Sequence, residues 1–350
     1  MRMITLGKSG ISVSAVGLGG IQLSKISAAQ AARVIRAGLD AGINFIETAH
    51  GYFDSEAKIG ASLQGRRDGV VLASKSSARD AKTFARHVDE SLDRLRTDVI
   101  DIYQLHGVDD EKTLREAMGP RGAVRAAGRA LRQGKIRSLG ISSHSLETSL
   151  KALELGVFDS LQYPISLINT EVAGSGLLGK ARKRGVGLIA MKPLGGGRLR
   201  DARLALGYIY RFRNVVPVVG VETPQQVLHL ARLAARPPKL SATDFEKIRR
   251  LRRTIGTRFC RACRYCEPCP QGISIFRVMY VPVYVRQIGA RRFLSKGIPD
   301  WLAAVERCTE CRACERRCPF GLHIVEGLKE SLAFARRQLK AGRQRKRRHT

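Results

Sequence analysis

No cysteine precedes Cys260, and no apolar run reaches the roughly 18 residues that a membrane-spanning helix needs. Residues Met1 to Gly10 show no charged-then-apolar signal pattern, so a cytoplasmic protein with no transmembrane segment is expected. The 35 glycines follow no period of three, which excludes a collagen-like chain. Acidic residues are scarce: 30 Asp and Glu against 62 Lys and Arg leave a net charge of +32. Residues 336–350 carry eight Lys or Arg, no acid and no interleaved aromatic residue. Base stacking has no platform there, so nucleic acid is not the expected partner. The basic end reads as a solvated tail, or as a contact for anionic lipid or an acidic protein.

What is present is ordinary for a globular chain: 44% hydrophobic and 26% charged residues. That is enough apolar side chain to bury a sizeable core, so the chain is not a disordered one. A length of 350 residues implies about two domains. Short apolar runs lie at 15–18, 43–46, 70–73, 99–105, 136–141, 158–162, 186–190 and 215–219. They do not alternate, which suits strands buried on both faces. Helical patterns lie between them at 28–40, 81–95, 146–155 and 224–234. The repeat predicts an α/β fold, a (β/α)8 TIM barrel. An open doubly wound sheet would carry a GxGxxG turn after its first strand. Here the turn runs Gly17, Leu18, Gly19, Gly20, Ile21, Gln22 and does not fit. Residues 4–14 read as a hairpin capping the barrel bottom.

The barrel is expected over 1–236, closed by Pro237 and Pro238. A linker and basic helix should follow over 237–256, opened by a helix-start signature at 241–244. A small cysteine-rich domain is expected over 257–322, then a terminal helix and basic tail over 323–350.

All eight cysteines fall in two runs. A secreted disulfide scaffold would scatter them. Cys308, Cys311, Cys314 and Cys318, followed by Pro319, have the C-x2-C-x2-C-x3-C-P spacing of bacterial ferredoxins. Cys260, Cys263, Cys266 and Cys269, followed by Pro270, depart from it by one residue before the last cysteine. In that arrangement the fourth cysteine of each run serves the other cluster. One [4Fe–4S] is therefore expected on Cys260, Cys263, Cys266 and Cys318, and another on Cys308, Cys311, Cys314 and Cys269. The shortened first run leaves a single cluster as an alternative. Zinc fits the triplets poorly, because zinc sites pair two CxxC units across a longer gap. Arg261, Arg264, Arg312, Arg316 and Arg317 lie among the ligands. Positive charge there raises a cluster's potential, or simply covers a small domain.

At the second predicted strand and just beyond it stand Gly42, Phe45, Glu47, Thr48, Ala49, Tyr52, Ser55, Glu56, Ile59 and Gly60. This pattern resembles the aldo/keto reductase family. The likeness continues through Lys75, His106, Ser142, Ser143, Gln162, Met191, Lys192, Pro193 and Gly220, one motif per strand end. The cysteine-rich continuation resembles the branch of that family fused to a ferredoxin-like domain.

The resemblance places a catalytic tetrad on Glu47, Tyr52, Lys75 and His106. Carbonyl reduction needs a hydride donor, a proton donor and a group that holds the oxygen. Tyr52 would be the acid, the Lys75 ammonium would favour its phenolate, an acid would hold that lysine, and His106 would orient the carbonyl. Glu47 departs from the family's usual Asp, keeping the charge but reaching one methylene further. His50 is left as a structural or substrate-lining residue. Similarity also puts Ser142, Ser143 and Gln162 on the nicotinamide carboxamide, with Met191 where many members stack an aromatic ring. Lys192 and the glycines from Gly195 would wrap the pyrophosphate. Gly220, Glu222, Thr223 and Gln226 would face the adenosine end, Thr223 as a helix N-cap. Glu222 would repel a 2′-phosphate and could accept from a 2′-hydroxyl, which leans toward NAD, with NADP open.

The resulting expectation is an NAD(P)-dependent oxidoreductase acting on a carbonyl or alcohol. Its clusters would pass single electrons to or from an acidic one-electron carrier protein. The alternative is a non-catalytic electron-transfer or interaction protein that docks through its basic surface.

Overall fold

Apolar strands buried on both faces form parallel sheets, and closing such a sheet leaves no strand with an unpaired edge. In a computed structural model, which describes residues 1–169, 171–255 and 259–347, they close in chain order. A hairpin comes first, β1 (Met3–Thr5) antiparallel to β2 (Ser12–Ser14). The barrel strands are β3 (Gly17–Gly19), β4 (Phe45–Glu47), β5 (Val71–Ser76), β6 (Ile100–Leu105), β7 (Ile136–Ser142), β8 (Ser160–Pro164), β9 (Gly187–Met191) and β10 (Val215–Gly220). All neighbours are parallel, and β10 closes on β3. The hairpin plugs the barrel floor: Leu6 and Val13 pack with Phe45, Val71, Ile102 and Val216.

Every strand lies at or a residue or two beyond its apolar run. The apolar pattern marks burial leading into the strand. The polar residues at the far ends are strand as well, and Ser74, Lys75 and Ser76 are all buried. Those polar ends form the C-terminal mouth of the barrel, where such folds keep their chemistry. Helices cap as their sequences dictate. Ser27, Asp80 and Thr223 each accept a hydrogen bond from the backbone N–H three residues on.

The chain divides into two compact units, Met1–Ala242 and Thr243–Thr350. The second contains only helices among its described residues, including Ile275–Met279, Val281–Ile288 and the long Ile324–Arg347. Val278, Val281, Leu302, Leu328 and Ala335 are its buried centre, with six cysteines packed against or within it. The segment between the cysteine runs is thus a folded core and not a spacer. The terminal helix also differs from expectation, running on to Arg347 through the stretch read as a basic tail. Its Lys, Arg, Gln and Ala are good helix formers, and its single late glycine does not stop it. The expected boundary at 256/257 and the side chains of the basic run 345–348 lie outside the described residues and side chains. Among the described residues, no helix is long and apolar enough to cross a membrane.

Candidate active site and metal centres

The parallel register sets Glu47 opposite Ala73 and Lys75 opposite Gln104 at the barrel mouth. Lys75 and Glu47 are both buried and form an ion pair, and Lys75 also donates to the Thr48 carbonyl at 2.7 Å. Gln162 Nε2 donates to the same Glu47 oxygen at 2.9 Å. The extra methylene of Glu47 therefore still reaches the lysine. A buried charge without this partner would be costly, which is why the pair comes together or not at all.

The loop after β4 lies over β5, with His50 N donating to the Lys75 carbonyl at 3.0 Å. Phe53 takes a left-handed backbone (φ 53°) and turns the chain just after Tyr52. The Tyr52 ring has the Lys75 ammonium 4.7 Å from its centroid and the His106 ring edge-on at 5.7 Å. Its hydroxyl makes no hydrogen bond to a protein group among the described residues. Lys75 thus lies over the ring face and is spent on Glu47 and Thr48. The structure reverses the expected tuning of the phenol: burial, then the Glu47 carboxylate, push Tyr52 well above the usual tyrosine value. His106 is fixed from its backbone, its N donating to the Ser76 carbonyl at 2.8 Å and its carbonyl accepting from Arg79 at 2.8 Å. Burial, with Lys75, His144 and Arg79 nearby, holds its imidazole well below the usual histidine value.

The other predicted positions divide. Ser142 Oγ accepts from Gly107 N at 2.9 Å. Ser143 Oγ accepts from Ser145 N at 3.1 Å and staples its own loop. Gln162 Oε1 is buried with no hydrogen-bond partner. An orphaned acceptor at the barrel mouth suits a carboxamide N–H. Gly195, Gly196 and Gly197 all have positive φ, 57°, 65° and 84°, which only glycine adopts freely in succession. The Gly195 and Gly197 N–H groups donate to the Lys192 and Leu194 carbonyls at 2.8 and 3.0 Å, so the turn offers an anion close approach to a backbone without side chains rather than those two donors. Gly220 lies where any Cβ would collide with the Gln22 amide. Met191 is the last, half-buried residue of β9. Thr223 and Gln226 form a reciprocal capping box, with Gln226 Oε1 accepting from Glu222 N at 2.7 Å. The Glu222 carboxylate is paired with Lys25, at 2.8 and 3.0 Å. It is therefore neither an unopposed negative charge nor an idle acceptor, and the premise for a lean toward NAD falls away. His50 Nε2 pairs with Glu90 at 2.6 Å and its ring stacks on His87 at 3.7 Å, tying the Tyr52 loop to the helix Ala81–Leu95.

Three residues at the mouth were not foreseen. Asp109 accepts from His144 N at 2.6 Å and lies 3.4 Å from His144 Nδ1. His144 Nε2 is 2.6 Å from Lys192 Nζ. Burial works against ionising Asp109, but hydrogen bonds and charge from His144, with the charge of Lys192, hold it at about 2. Burial and then the Lys192 charge push His144 down, while Asp109 acts the other way. Arg79 completes the group by holding the His106 and Gly107 carbonyls. The available signal was position alone: each follows a strand end by a few residues.

In the second unit the two cysteine loops have matching backbones. Left-handed residues occur at Ala262 and Arg264 in one, and at Glu310 and Arg312 in the other (φ 61°, 67°, 56° and 55°). Each stands two residues after the first cysteine and one after the second. Non-glycine residues hold such angles at about 1–3 kcal/mol each, so something must over-determine the loop. Ala262 N donates toward Cys260 Sγ at 3.4 Å, and Arg317 donates to the carbonyls of Cys266 and Pro268 at 2.8 and 2.7 Å, joining the two runs. Burial, and then neighbours that include Cys260, Cys263 and Cys318, push the Cys266 thiol up. Those four thiols are thus neighbours. Cys269, Cys308, Cys311 and Cys314 line one cavity. None of the eight is in a disulfide. No three of the sulfurs lie within 4.8 Å of one another. A tetrahedral zinc with Zn–S of about 2.3 Å would need them about 3.8 Å apart, so the sulfurs do not form a ready-made zinc site.

Comparison with known proteins agrees with both halves. The model of the aldo/keto reductase family matches residues 15–204, and that of a 4Fe–4S dicluster domain matches residues 259–323. The 6-dehydroglucose reductase of Novosphingobium aromaticivorans is 33% identical over 223 residues, covering 57% of this chain and 71% of its own. An aldo-keto reductase of Bacillus halodurans in its holo form superposes with a TM-score of 0.62 at 26% identity, over 72% of this chain and 96% of that one. An aldo-keto reductase of Klebsiella pneumoniae in complex with NADPH gives a TM-score of 0.62 at 27% identity, over 71% and 94%. With a closed eight-stranded barrel, a polar C-terminal mouth and these matches, the chain belongs to the aldo/keto reductase family and carries a C-terminal 4Fe–4S dicluster domain.

Proposed function

We propose that the barrel reduces a carbonyl, or oxidises the corresponding alcohol, with NADP(H), and that the second unit holds two [4Fe–4S] clusters that exchange single electrons with an acidic carrier protein. The observation that carries the reading is the Tyr52 hydroxyl. It has no protein hydrogen-bond partner among the described residues, and it is carried on a ring flanked by a buried lysine and a histidine at the barrel mouth. A bound nicotinamide supplies the hydride. Tyr52 gives its proton to the carbonyl oxygen, and His106 as neutral imidazole holds that oxygen by an N–H bond. Glu47 keeps Lys75 in place and charged. Gln162 Oε1 accepts from the carboxamide, Lys192 and the glycine turn after it meet the pyrophosphate, and Asp109 and His144 position Lys192. Lys25 takes the 2′-phosphate.

Because His106 is held well below its ordinary value, its proton is taken up only at lower pH. The rate of reduction at saturating substrate should therefore show no acid limb near about 6.5, the ordinary imidazole value. A limb there that disappears in His106→Asn contradicts a neutral histidine.

The test of the function is NADPH and NADH oxidation by anaerobically purified protein with a panel of aldehydes and ketones. NADPH should be preferred. The Lys25–Glu222 pair is only about one-third exposed, and a 2′-phosphate would compete with the carboxylate for the ammonium. Glu222→Gln should lower the KM for NADPH, and Lys25→Ala should raise it about five- to tenfold, an ionic contact of about 1 kcal/mol, with little change for NADH. If no carbonyl is turned over by cluster-loaded protein, the non-catalytic reading takes its place.

A further inference from the structure

We propose that the barrel has a second ligand site, for a small organic anion, at the end of the strands opposite Tyr52. A half-open cavity of about 540 Å³ lies there, within the roughly 300–1,000 Å³ usual for small-molecule sites. Strand β1 forms one wall, the helix Leu177–Lys183 another, and the turn leading into β10 the third. These elements meet at the start of β9 and β10. Glu47, Lys75 and His106 lie at the other ends of their strands, and the apolar cluster of Leu6, Phe45 and Ile102 fills the barrel between. The cavity is therefore separate from the catalytic mouth.

Its charge is one-sided. Arg2, Arg182 and Arg213 line it, and no Asp or Glu does. None of the three has a carboxylate partner among the described residues. At the end of the same helix, Lys180 and Arg184 share Glu154, and Arg182 between them is left out. Three guanidinium groups around one concavity repel each other, and an apolar wall concentrates their field. An anion relieves that repulsion, and a carboxylate or phosphate matches the guanidinium fork.

The rest of the lining says what else the ligand carries. Leu178, Val186 and Phe212 give an apolar surface. The Arg2 guanidinium lies 5.1 Å from the centroid of the Tyr210 ring. The Tyr210 hydroxyl is spent on the Ala15 carbonyl at 3.1 Å, so that residue offers a ring rather than a donor. The site thus fits an aryl or acyl body ending in a carboxylate or a phosphate.

The experiment is calorimetric titration of the full chain saturated with NADP+, so that the cofactor part of the catalytic end is filled. The probes are benzoate, phenyl phosphate, benzyl alcohol and inorganic phosphate. One of the two aryl anions should bind at least about tenfold more tightly than benzyl alcohol or inorganic phosphate, with salt-sensitive affinity. Which one binds identifies the acidic group. The double variant Arg182→Glu, Arg213→Glu, both at exposed positions, should weaken that binding at least about tenfold and leave the NADP+ titration and thermal unfolding unchanged. Equal binding to wild type and double variant overturns the proposal. So does binding lost in His106→Asn but kept in the double variant, which would place the anion at the catalytic mouth.

Discussion

Tyr52→Phe should lower carbonyl reduction by at least about 100-fold, the low end for a lost general acid, and leave nicotinamide binding nearly unchanged. The substitution removes one oxygen. That oxygen has no hydrogen bond to protein among the described residues, so the fold loses nothing by it. The ring keeps its contacts with Lys75 and His106. The proton is present to be given, because burial and the Glu47 carboxylate hold the phenol protonated beyond the ordinary range. A phenol so held is a weak acid in the resting site. The Lys75 charge, 4.7 Å from the ring centre, favours the phenolate as the proton leaves. Glu47 keeps that charge from being lost to burial, which on its own pulls Lys75 down. Single-turnover reduction and fluorescence titration with NADPH separate the two effects. A variant that retains most of its turnover shows that another group is the acid, and the tetrad assignment goes with it.

The sequence held more of the barrel than of its electrostatics. Eight apolar runs, buried on both faces, can be counted without knowing what they pair with. Their far ends cannot, because Glu47, Lys75 and Ser142 read as polar and yet lie within strands. The tetrad positions follow from one motif at each strand end. What Lys75 does to Tyr52 depends on whether the ammonium meets the hydroxyl or the ring, and that is set by loop geometry. The Lys25–Glu222 pair joins the two ends of the barrel sequence, and exists because β10 closes on β3. Asp109, His144 and Lys192 come from the loops after three different strands, and no local pattern announces their meeting. In the second unit the cysteine spacing was legible. The core between the runs was not, since it is built of helices of four to eight residues, too short for a helical period to register.

Protein purified without oxygen should be brown and carry about eight irons per chain, two cubanes of four. The cysteines differ in setting, and their variants should differ too. Cys311 is exposed and Cys266 is buried in the core of its unit. Cys311→Ser should halve the iron and leave the unit folded. Cys266→Ser should remove the other half and lower the unfolding temperature further, because it also leaves a hydroxyl in an apolar core. Such a cluster would add a staple to the apolar core of a small helical unit. Colourless protein with stoichiometric zinc ends the cluster reading. The same samples decide whether the clusters do more than hold the fold. A nicotinamide passes two electrons as hydride and a cluster passes one, so their presence on one chain has a use if electrons cross between them. Anaerobic addition of NADPH to the oxidised protein should then bleach the cluster absorbance. A low-potential one-electron donor with NADP+ should yield NADPH. If neither occurs, while carbonyl reduction survives Cys311→Ser undiminished, the clusters serve the fold alone.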